Sequence, residues 1–215
     1  ARATFDGAVG RKILDAMSAQ GLHGLCYYDS GARSFYNTKR PIRTPDDMKG
    51  LKLRVQNSDI YVAMVSALGA NPTPIPYGEV YQALVQGVVD GAENNWPSYE
   101  SARHFEAAQH YSLTRHVMAP EVLVASERRW DRMTTEEQDY LQAAAYDSVP
   151  IMREIWDARV NAARNRLIES GVQVVEEVDG PAFAELMLPV WDQFLSDPNI
   201  RALADEIVAL EVTDE

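Results

Sequence analysis

Hydrophobic positions change repeatedly between helical and strand spacing along the chain, and this change predicts an α/β fold. Val9, Ile13 and Met17 recur at helical spacing before Gly21. The run GLCYY that follows has the composition of a buried strand. Alternation of strands and helices is typical of α/β architectures, so we expect parallel strand pairing.

The same spacing predicts most of the remaining elements. Residues 29–50 are rich in turn formers and predict loops, apart from a short helix after a capping-box pattern at Thr44 and Asp47. Strands are predicted at 51–55, 116–126 and 171–178, an extended segment at 72–76, and a strand followed by a turn at 88–94. Helices are predicted at 58–69, 78–87, 97–106, 181–196 and 199–210.

One predicted helix is unusually long. A second capping-box pattern, Thr134 with Glu137, precedes a stretch that runs to Glu169 without glycine and with the single proline Pro150. At about 1.5 Å per residue the helix is on the order of 50 Å long, with a kink expected at the proline.

Composition narrows the classes of function. The 215 residues carry a net charge of −12, which argues against binding nucleic acid or an anionic membrane surface. The single cysteine, Cys26, forms no internal disulfide and no zinc cage, and we interpret it as a small buried hydrophobe. No apolar run approaches the roughly 20 residues of a membrane span, and we expect that a signal peptide has been removed.

Arg54 is the first candidate for ligand binding, because it interrupts the apolar strand LKLRV. A buried guanidinium requires an anion, and its planar fork suits a carboxylate. The alternative is an ion pair with one of the 32 acidic side chains, and composition alone leaves the two interpretations equally open. Asn57, just beyond this strand, is a further candidate.

Asn94 and Asn95 follow the predicted strand VVDGAE, where the carboxyl end of a strand would place them near Arg54. An asparagine side chain both donates and accepts, which suits hydroxyl and carboxylate oxygens. The alternative is a turn, since Asn tolerates left-handed backbone. Trp96 could shield a ligand, although core packing is the simpler interpretation.

Arg33, in the predicted loop, and Tyr77, before a predicted helix, complete the candidate set. Most loop arginines are solvated, and an aromatic side chain packs against its own helix by default. Glu79 and Glu93 could instead be the paired carboxylates of a carbohydrate-active enzyme. The histidines show no metal-ligand spacing, and the sequence predicts neither a cofactor nor a metal site.

Three segments together carry a family resemblance: MKGLKLRV, GANPTPIPYGEVYQALVQGVVDGAEN and the long helix after MTTEEQDYLQAAA. In their order and spacing they closely resemble the solute-binding proteins of TRAP transporters, the DctP-type family. The resemblance implies a periplasmic, non-enzymatic receptor with the periplasmic-binding-protein fold, two α/β domains and a cleft. Such a receptor captures a small organic acid and delivers it to the TRAP membrane permease.

The resemblance also assigns roles and domains. It implies that Arg54 clamps the substrate carboxylate, assisted by Arg33 and Asn94, and that Tyr77 covers one side of the ligand. It implies a first domain of 1–29 plus 120–159, lacking N-terminal strand–helix units that the family has, and a second of 30–119 plus 160–215. The long helix would belong to both.

The stretch ENNWPSYES resembles the members that bind sugar acids, in particular the hexuronates glucuronate and galacturonate. Additional hydrogen-bonding groups suit a polyhydroxylated ligand, and aromatic faces suit the C–H side of a pyranose ring. A C4-dicarboxylate or another hydroxy acid is the alternative within the same class of receptor.

Overall fold

A computed structural model describes residues 2–213 and has the mixed helix and strand content that the sequence predicts. Within these residues there are nine α-helices. They are Arg2–Asp6 (α1), Ala8–Ala16 (α2), Asp59–Ala67 (α3), Val80–Val85 (α4), Trp96–Ser101 (α5), Glu127–Trp130 (α6), Thr135–Glu169 (α7), Gly180–Phe194 (α8) and Pro198–Thr213 (α9). Short 3-10 helices lie at Met17–Gln20, Pro45–Met48, Tyr77–Glu79 and His104–Glu106.

Six strands of the described chain form one mixed sheet in the order β3-β2-β4-β1-β5-β6. The strands are Leu22–Asn37 (β1), Lys52–Val55 (β2), Asn71–Pro74 (β3), Gly91–Asn94 (β4), His110–Ser126 (β5) and Gln173–Val175 (β6). β2 pairs in parallel with β3 and β4, and β5 with β6, but β1 and β4 are antiparallel. The expectation of parallel pairing is therefore wrong for β1 and β4.

The largest difference from the sequence prediction concerns residues 29–50, which were expected to be loops. β1 continues to Asn37, and its residues Ser34 to Asn37 pair with β4 in the register Ser34↔Asn94 to Asn37↔Gly91. Turn-forming residues in this stretch are overridden by the tertiary pairing, since strand preference depends strongly on context. The positive φ of Gly31, 73°, is accommodated inside the strand.

The chain divides into two compact units. Unit 1 comprises Ala1–Gly31, Met118–Ala158 and Pro198–Glu215, and unit 2 comprises Ala32–Val117 and Arg159–Asp197. The family resemblance implied that 160–215 belong to one domain, whereas the unit boundary falls before α9. The two-domain division of the receptor stays a prediction.

The assignment of α9 to unit 1 has a local cause. α9 packs against α2, and Lys12 Nζ lies 2.8 Å from a carboxylate oxygen of Glu206. In the same unit Cys26 is buried with Leu25, Trp130 and Ala145, and burial raises the pKa of its thiol. This agrees with its interpretation as a small core residue.

Unit 2 has two hydrophobic clusters, which follow from the alternation of side chains along its strands. Tyr36 and Ala92 belong to a cluster with Trp96 and other aromatic residues. Phe35 and Leu53 belong to the second cluster, with helices α3 and α8. Because Leu53 and Val55 point into the second cluster, Arg54 between them is directed to the opposite face of the sheet.

Both predicted capping boxes are present. The Thr44 side chain and backbone pair with Asp47, and Thr134 pairs reciprocally with Glu137 at the start of α7. α7 contains Pro150 and is 35 residues long, or about 52 Å at 1.5 Å per residue. In the described part of the chain, α7 and the other helices lack a segment long and apolar enough to cross a membrane.

Gly91 is required by the close approach of β4 to β1. A Cβ at this position would overlap the carbonyl oxygen of Tyr36 and lie 2.7 Å from Asn37 Cβ. We expect Gly91→Ala to lower the free energy of unfolding by about 1–3 kcal/mol through overpacking, measured by chemical denaturation. Gly180→Ala is the matched control, because a Cβ there meets no atom within 4 Å. Equal stability of the two variants would contradict this description of the β1–β4 contact.

Candidate functional site

The carboxyl ends of three neighbouring parallel strands form one edge of the sheet in unit 2. Arg54 is the penultimate residue of β2, Asn94 is the last residue of β4, and Tyr77 follows β3 by three residues. Since β2 lies between β3 and β4, the three side chains start from adjacent positions at this edge. Ligands of open α/β sheets bind outside such strand ends.

Arg54 is buried but lacks a carboxylate partner. Its side chain is at the centre of the edge, the residue is 5% exposed, and Nε donates to the carbonyl oxygen of Ile75 at 2.8 Å. Among residues 2–210, whose side chains the structure describes, no Asp or Glu lies within ion-pair distance of it, and its two Nη groups donate no hydrogen bond to any of them. Of the two interpretations left open by the sequence, the structure excludes a direct ion pair with a described acidic residue.

Burial is the main cause that lowers the pKa of Arg54 below its ordinary value; the negative charge of Glu93 opposes this effect, and repulsion from Arg33 adds to it. An arginine still keeps its proton at neutral pH, because the unperturbed pKa is above about 12. The site therefore presents a desolvated positive charge with two free donor groups. This is the arrangement that binds a carboxylate through paired hydrogen bonds.

Tyr77 flanks Arg54. The guanidinium carbon of Arg54 lies 6.0 Å from the centre of the Tyr77 ring, and the Tyr77 hydroxyl donates to the carbonyl oxygen of Ser98 at 3.1 Å. The residue is 44% exposed. A half-exposed aromatic ring beside a buried cation offers an apolar face to a ligand held by that cation.

Asn94 contributes a donor at the same edge. Its Oδ1 accepts from the backbone nitrogen of Asn95 at 2.9 Å, and Nδ2 has no acceptor among residues 2–213. The carbonyl oxygen of Asn94 accepts from the Tyr111 hydroxyl at 2.9 Å, which fixes the backbone at the end of β4. The left-handed turn that the sequence left open is not formed, since Asn94 ends a strand and its φ is not positive.

Asn95 and Trp96 have roles in folding. Asn95 is the N-cap of α5, and its Oδ1 accepts from the backbone nitrogen of Ser98 at 2.9 Å. Trp96 is 8% exposed and stacks on Tyr111 with ring centres 3.9 Å apart, as the simpler core interpretation expected. Asn57 is exposed in the bend after β2. Trp96 is therefore a core residue, and no hydrogen bond joins Asn57 to Arg54 among the described residues.

Arg33 is held by a carboxylate, unlike Arg54. Its Nε and Nη2 donate to the two carboxylate oxygens of Glu93 at 2.6 and 2.7 Å, and the side chains are 11% and 0% exposed. Nη1 is the one guanidinium nitrogen of Arg33 with no acceptor within the described residues. Glu93 therefore fixes the orientation of Arg33 and leaves only the Nη1 group of Arg33 available to a ligand.

Glu93 is ionised in its buried position. Burial opposes ionisation, but His116 and Arg33 outweigh it and lower the pKa of the carboxyl below its ordinary value. His116 Nε2 lies 3.6 Å from a Glu93 oxygen, and its ring stacks on Phe35. Arg33 donates the two direct hydrogen bonds to this carboxylate, one from Nε and one from Nη2.

These properties argue against the enzyme alternative. A general acid requires a raised pKa and access to substrate, whereas Glu93 has a lowered pKa and is fully buried. Glu79 is exposed on the 3-10 helix after β3. Within residues 2–213 no group of histidine, cysteine or acidic side chains could hold a metal ion.

Sequence reasoning missed two buried aromatic groups near Arg54. Tyr36 Oη lies 2.7 Å from His104 Nδ1, and the His104 ring contacts Tyr77 with centres 5.7 Å apart. Tyr36 was placed in a loop, and His104 was considered only as a metal ligand. No local pattern identifies either residue, because they come from segments 68 positions apart.

The family of the chain follows from a comparison with known protein families. Residues 1–197 match the family model described as bacterial extracellular solute-binding protein, family 7, or DctP. The chain belongs to the DctP family. This confirms the resemblance in the sequence, and the DctP family is defined by solute binding rather than by a reaction.

Curated relatives match this chain over nearly its whole length. A solute-binding protein of Chromohalobacter salexigens is 43% identical over 204 residues, which are 94% of this chain and 61% of that protein. The chain therefore spans about three-fifths of the length of the curated relatives it matches.

Two crystal structures of TRAP periplasmic solute-binding proteins confirm the α/β fold of this class. The one from Bradyrhizobium sp. BTAi1, in complex with α/β-D-galacturonate, has a TM-score of 0.90 at 53% identity and covers 96% of this chain and 69% of that chain. The one from Chromohalobacter salexigens, with bound D-glucuronate, has a TM-score of 0.92 at 42% identity and covers 95% and 68%.

The ion pair of Arg33 and Glu93 gives a stability prediction. Glu93→Gln leaves the buried guanidinium without its counter-charge, and we expect a loss of about 3–5 kcal/mol in the free energy of unfolding, measured by chemical denaturation. The exposed pair of Lys49 and Asp46 provides the control, since Lys49→Ala should cost less than about 1 kcal/mol.

A double variant tests whether the loss comes from the pair itself. Arg33→Gln combined with Glu93→Gln should cost less than the sum of the two single variants, because each single change leaves one charge unpaired. A Glu93→Gln loss as small as that of Lys49→Ala would contradict the buried ion pair.

Proposed function

We propose that this chain is the carboxylate-binding part of a periplasmic TRAP-transporter receptor whose ligand is a hexuronate such as galacturonate or glucuronate. The observation that carries the proposal is the buried guanidinium of Arg54, whose Nη groups have no acceptor among the described residues. Delivery of the ligand to TRAP permease subunits follows from family membership and is part of the same proposal.

Each candidate residue has a separate role in this proposal. Arg54 binds the carboxylate of the uronate through its two Nη groups, and Arg33 adds a hydrogen bond from Nη1. Asn94 donates from Nδ2 to a carboxylate or hydroxyl oxygen. Tyr77 covers the C–H face of the pyranose ring, which is consistent with its half-exposed position beside Arg54. Asn57, exposed in the bend after β2, is an outer candidate.

The choice of a uronate rests on two lines of support. The site offers a single strong anion anchor in Arg54, with neutral donors and an aromatic face around it, which suits a ligand with one carboxylate and several hydroxyls. Solved relatives at 53% and 42% identity carry galacturonate and glucuronate. A C4-dicarboxylate would require a second cation for its other carboxylate, and Glu93 already occupies most of Arg33.

Arg54→Gln tests the anchor. Each hydrogen bond to a charged group contributes about 1.5–3 kcal/mol, so we expect the affinity for galacturonate to fall by at least about 10-fold to 100-fold. The measurement is isothermal titration calorimetry, preceded by a thermal-shift screen of uronates, aldonates, dicarboxylates and sialic acid.

Arg43→Gln is the matched control, because the residue is exposed on the loop before β2 and its side chain makes no contact that the site uses. The galacturonate-binding Bradyrhizobium protein serves as the positive control. Unchanged uronate affinity in Arg54→Gln, or a stronger shift with a dicarboxylate than with any uronate, would contradict the proposal. Turnover of a sugar would favour the enzyme alternative.

A further inference from the structure

His104 is a buried histidine in which one ring nitrogen has a hydrogen-bond partner and the other has none among the described residues. It begins the 3-10 helix after α5 and is 1% exposed. Nδ1 lies 2.7 Å from the Tyr36 hydroxyl, whereas Nε2 is buried and has no protein partner among residues 2–213. A buried polar atom without a partner costs about 1–3 kcal/mol, so its retention requires an explanation.

Tyr77 connects His104 with the proposed ligand anchor. The Tyr77 ring meets the His104 ring edge to face, with centres 5.7 Å apart and planes at 65°. The same Tyr77 ring lies 6.0 Å from the guanidinium carbon of Arg54. The imidazole and the guanidinium, both buried, are therefore neighbours of one aromatic side chain.

The other groups around His104 are neutral or paired. Tyr36 on β1 is fully buried, and burial raises the pKa of its hydroxyl well above the ordinary value. Tyr99 on α5 packs on Tyr36 and donates to the carbonyl oxygen of Ala108. Next to His104, on its own segment, Arg103 and Glu106 form an exposed ion pair with each other.

Arg54 is thus the charged group that acts on His104. Burial first, and then the positive charge of Arg54, lowers the pKa of His104 to about 4. The imidazole is neutral at neutral pH while that charge is uncompensated. A bound carboxylate would offset the positive charge of Arg54 and so remove one of the two causes that lower the pKa of His104.

We propose that His104 takes up a proton when a carboxylate binds to Arg54, so that ligand binding and protonation of the imidazole are coupled. The coupling rests on the proposed function, because it requires an anionic ligand at Arg54. The proton comes from solvent and adds to a ring nitrogen, and no bond between heavy atoms changes. The Tyr36 hydroxyl can donate to Nδ1 or accept from it, so the Tyr36–His104 bond persists in both charge states.

The reciprocal effect is pH-dependent affinity. Since ligand binding favours the protonated imidazole, protonation must favour ligand binding to the same extent. Affinity for galacturonate should therefore increase as the pH falls from about 6.5 towards 4, between the ordinary and the lowered pKa of His104. A purely structural role for His104 predicts no such profile.

The first experiment requires no ligand. NMR titration of the His104 imidazole should give a higher pKa in Arg54→Gln than in the wild-type chain, by about half a unit or more, as expected when a nearby like charge is removed. Arg43→Gln should leave the value unchanged. Equal His104 pKa values in wild type and Arg54→Gln would overturn the coupling, whatever the chain binds.

The second experiment measures protons taken up on binding. Calorimetric titration with galacturonate at pH 5, in two buffers of different ionisation enthalpy, should show uptake of a fraction of a proton by the wild-type chain and none by His104→Gln. His104→Asn also removes the imidazole, with a smaller side chain, and should likewise show no proton uptake. Binding without proton uptake, or equal uptake after replacement of His104, would overturn the inference alone. Absence of any uronate binding to the wild-type chain would overturn the proposed function as well.

Discussion

A buried positive charge without a negative partner is the constraint on which the site depends. Arg54 lies in a four-residue strand between Leu53 and Val55, both of which are fully buried. Desolvation of a guanidinium is costly, and one hydrogen bond to the carbonyl oxygen of Ile75 satisfies only part of it. The remaining donors provide binding energy for an external anion. Because the strand is rigid and paired on both sides, that energy is available without reordering the backbone.

The two buried arginines of the site differ in whether a carboxylate of the protein balances their positive charge. Arg33 is satisfied by Glu93, a fully buried carboxylate with which it forms a bidentate pair. Arg54 has no such partner in the described residues. If both were paired, the site would attract no anion, and if neither were, unit 2 would carry two uncompensated buried charges. Glu93 thus confines the strong unsatisfied charge to one position, next to Tyr77 and Asn94.

The fold was predictable wherever local signals agreed with tertiary pairing. The helices with clear caps and the strand LKLRV were predicted correctly because the hydrophobic spacing agreed with the capping and turn residues at the ends of each element. The extension of β1 to Asn37 was missed, since Gly31, Ser34 and Asn37 are turn formers whose conformation is decided by pairing with β4. Arg54 and Asn94 could be grouped from their positions at strand ends, whereas Tyr77 joined them only through the family resemblance. The Glu93 partner of Arg33 and the Tyr36–His104 contact could not, because both pairs join residues at least 60 positions apart.

A crystal structure of the chain with bound galacturonate tests the central claim most directly. The carboxylate of the sugar should lie within about 3 Å of both Nη atoms of Arg54, with the pyranose ring over Tyr77. Density for the sugar with its carboxylate directed away from Arg54, or bound at another part of the molecule, would contradict the assignment of this guanidinium as the anchor.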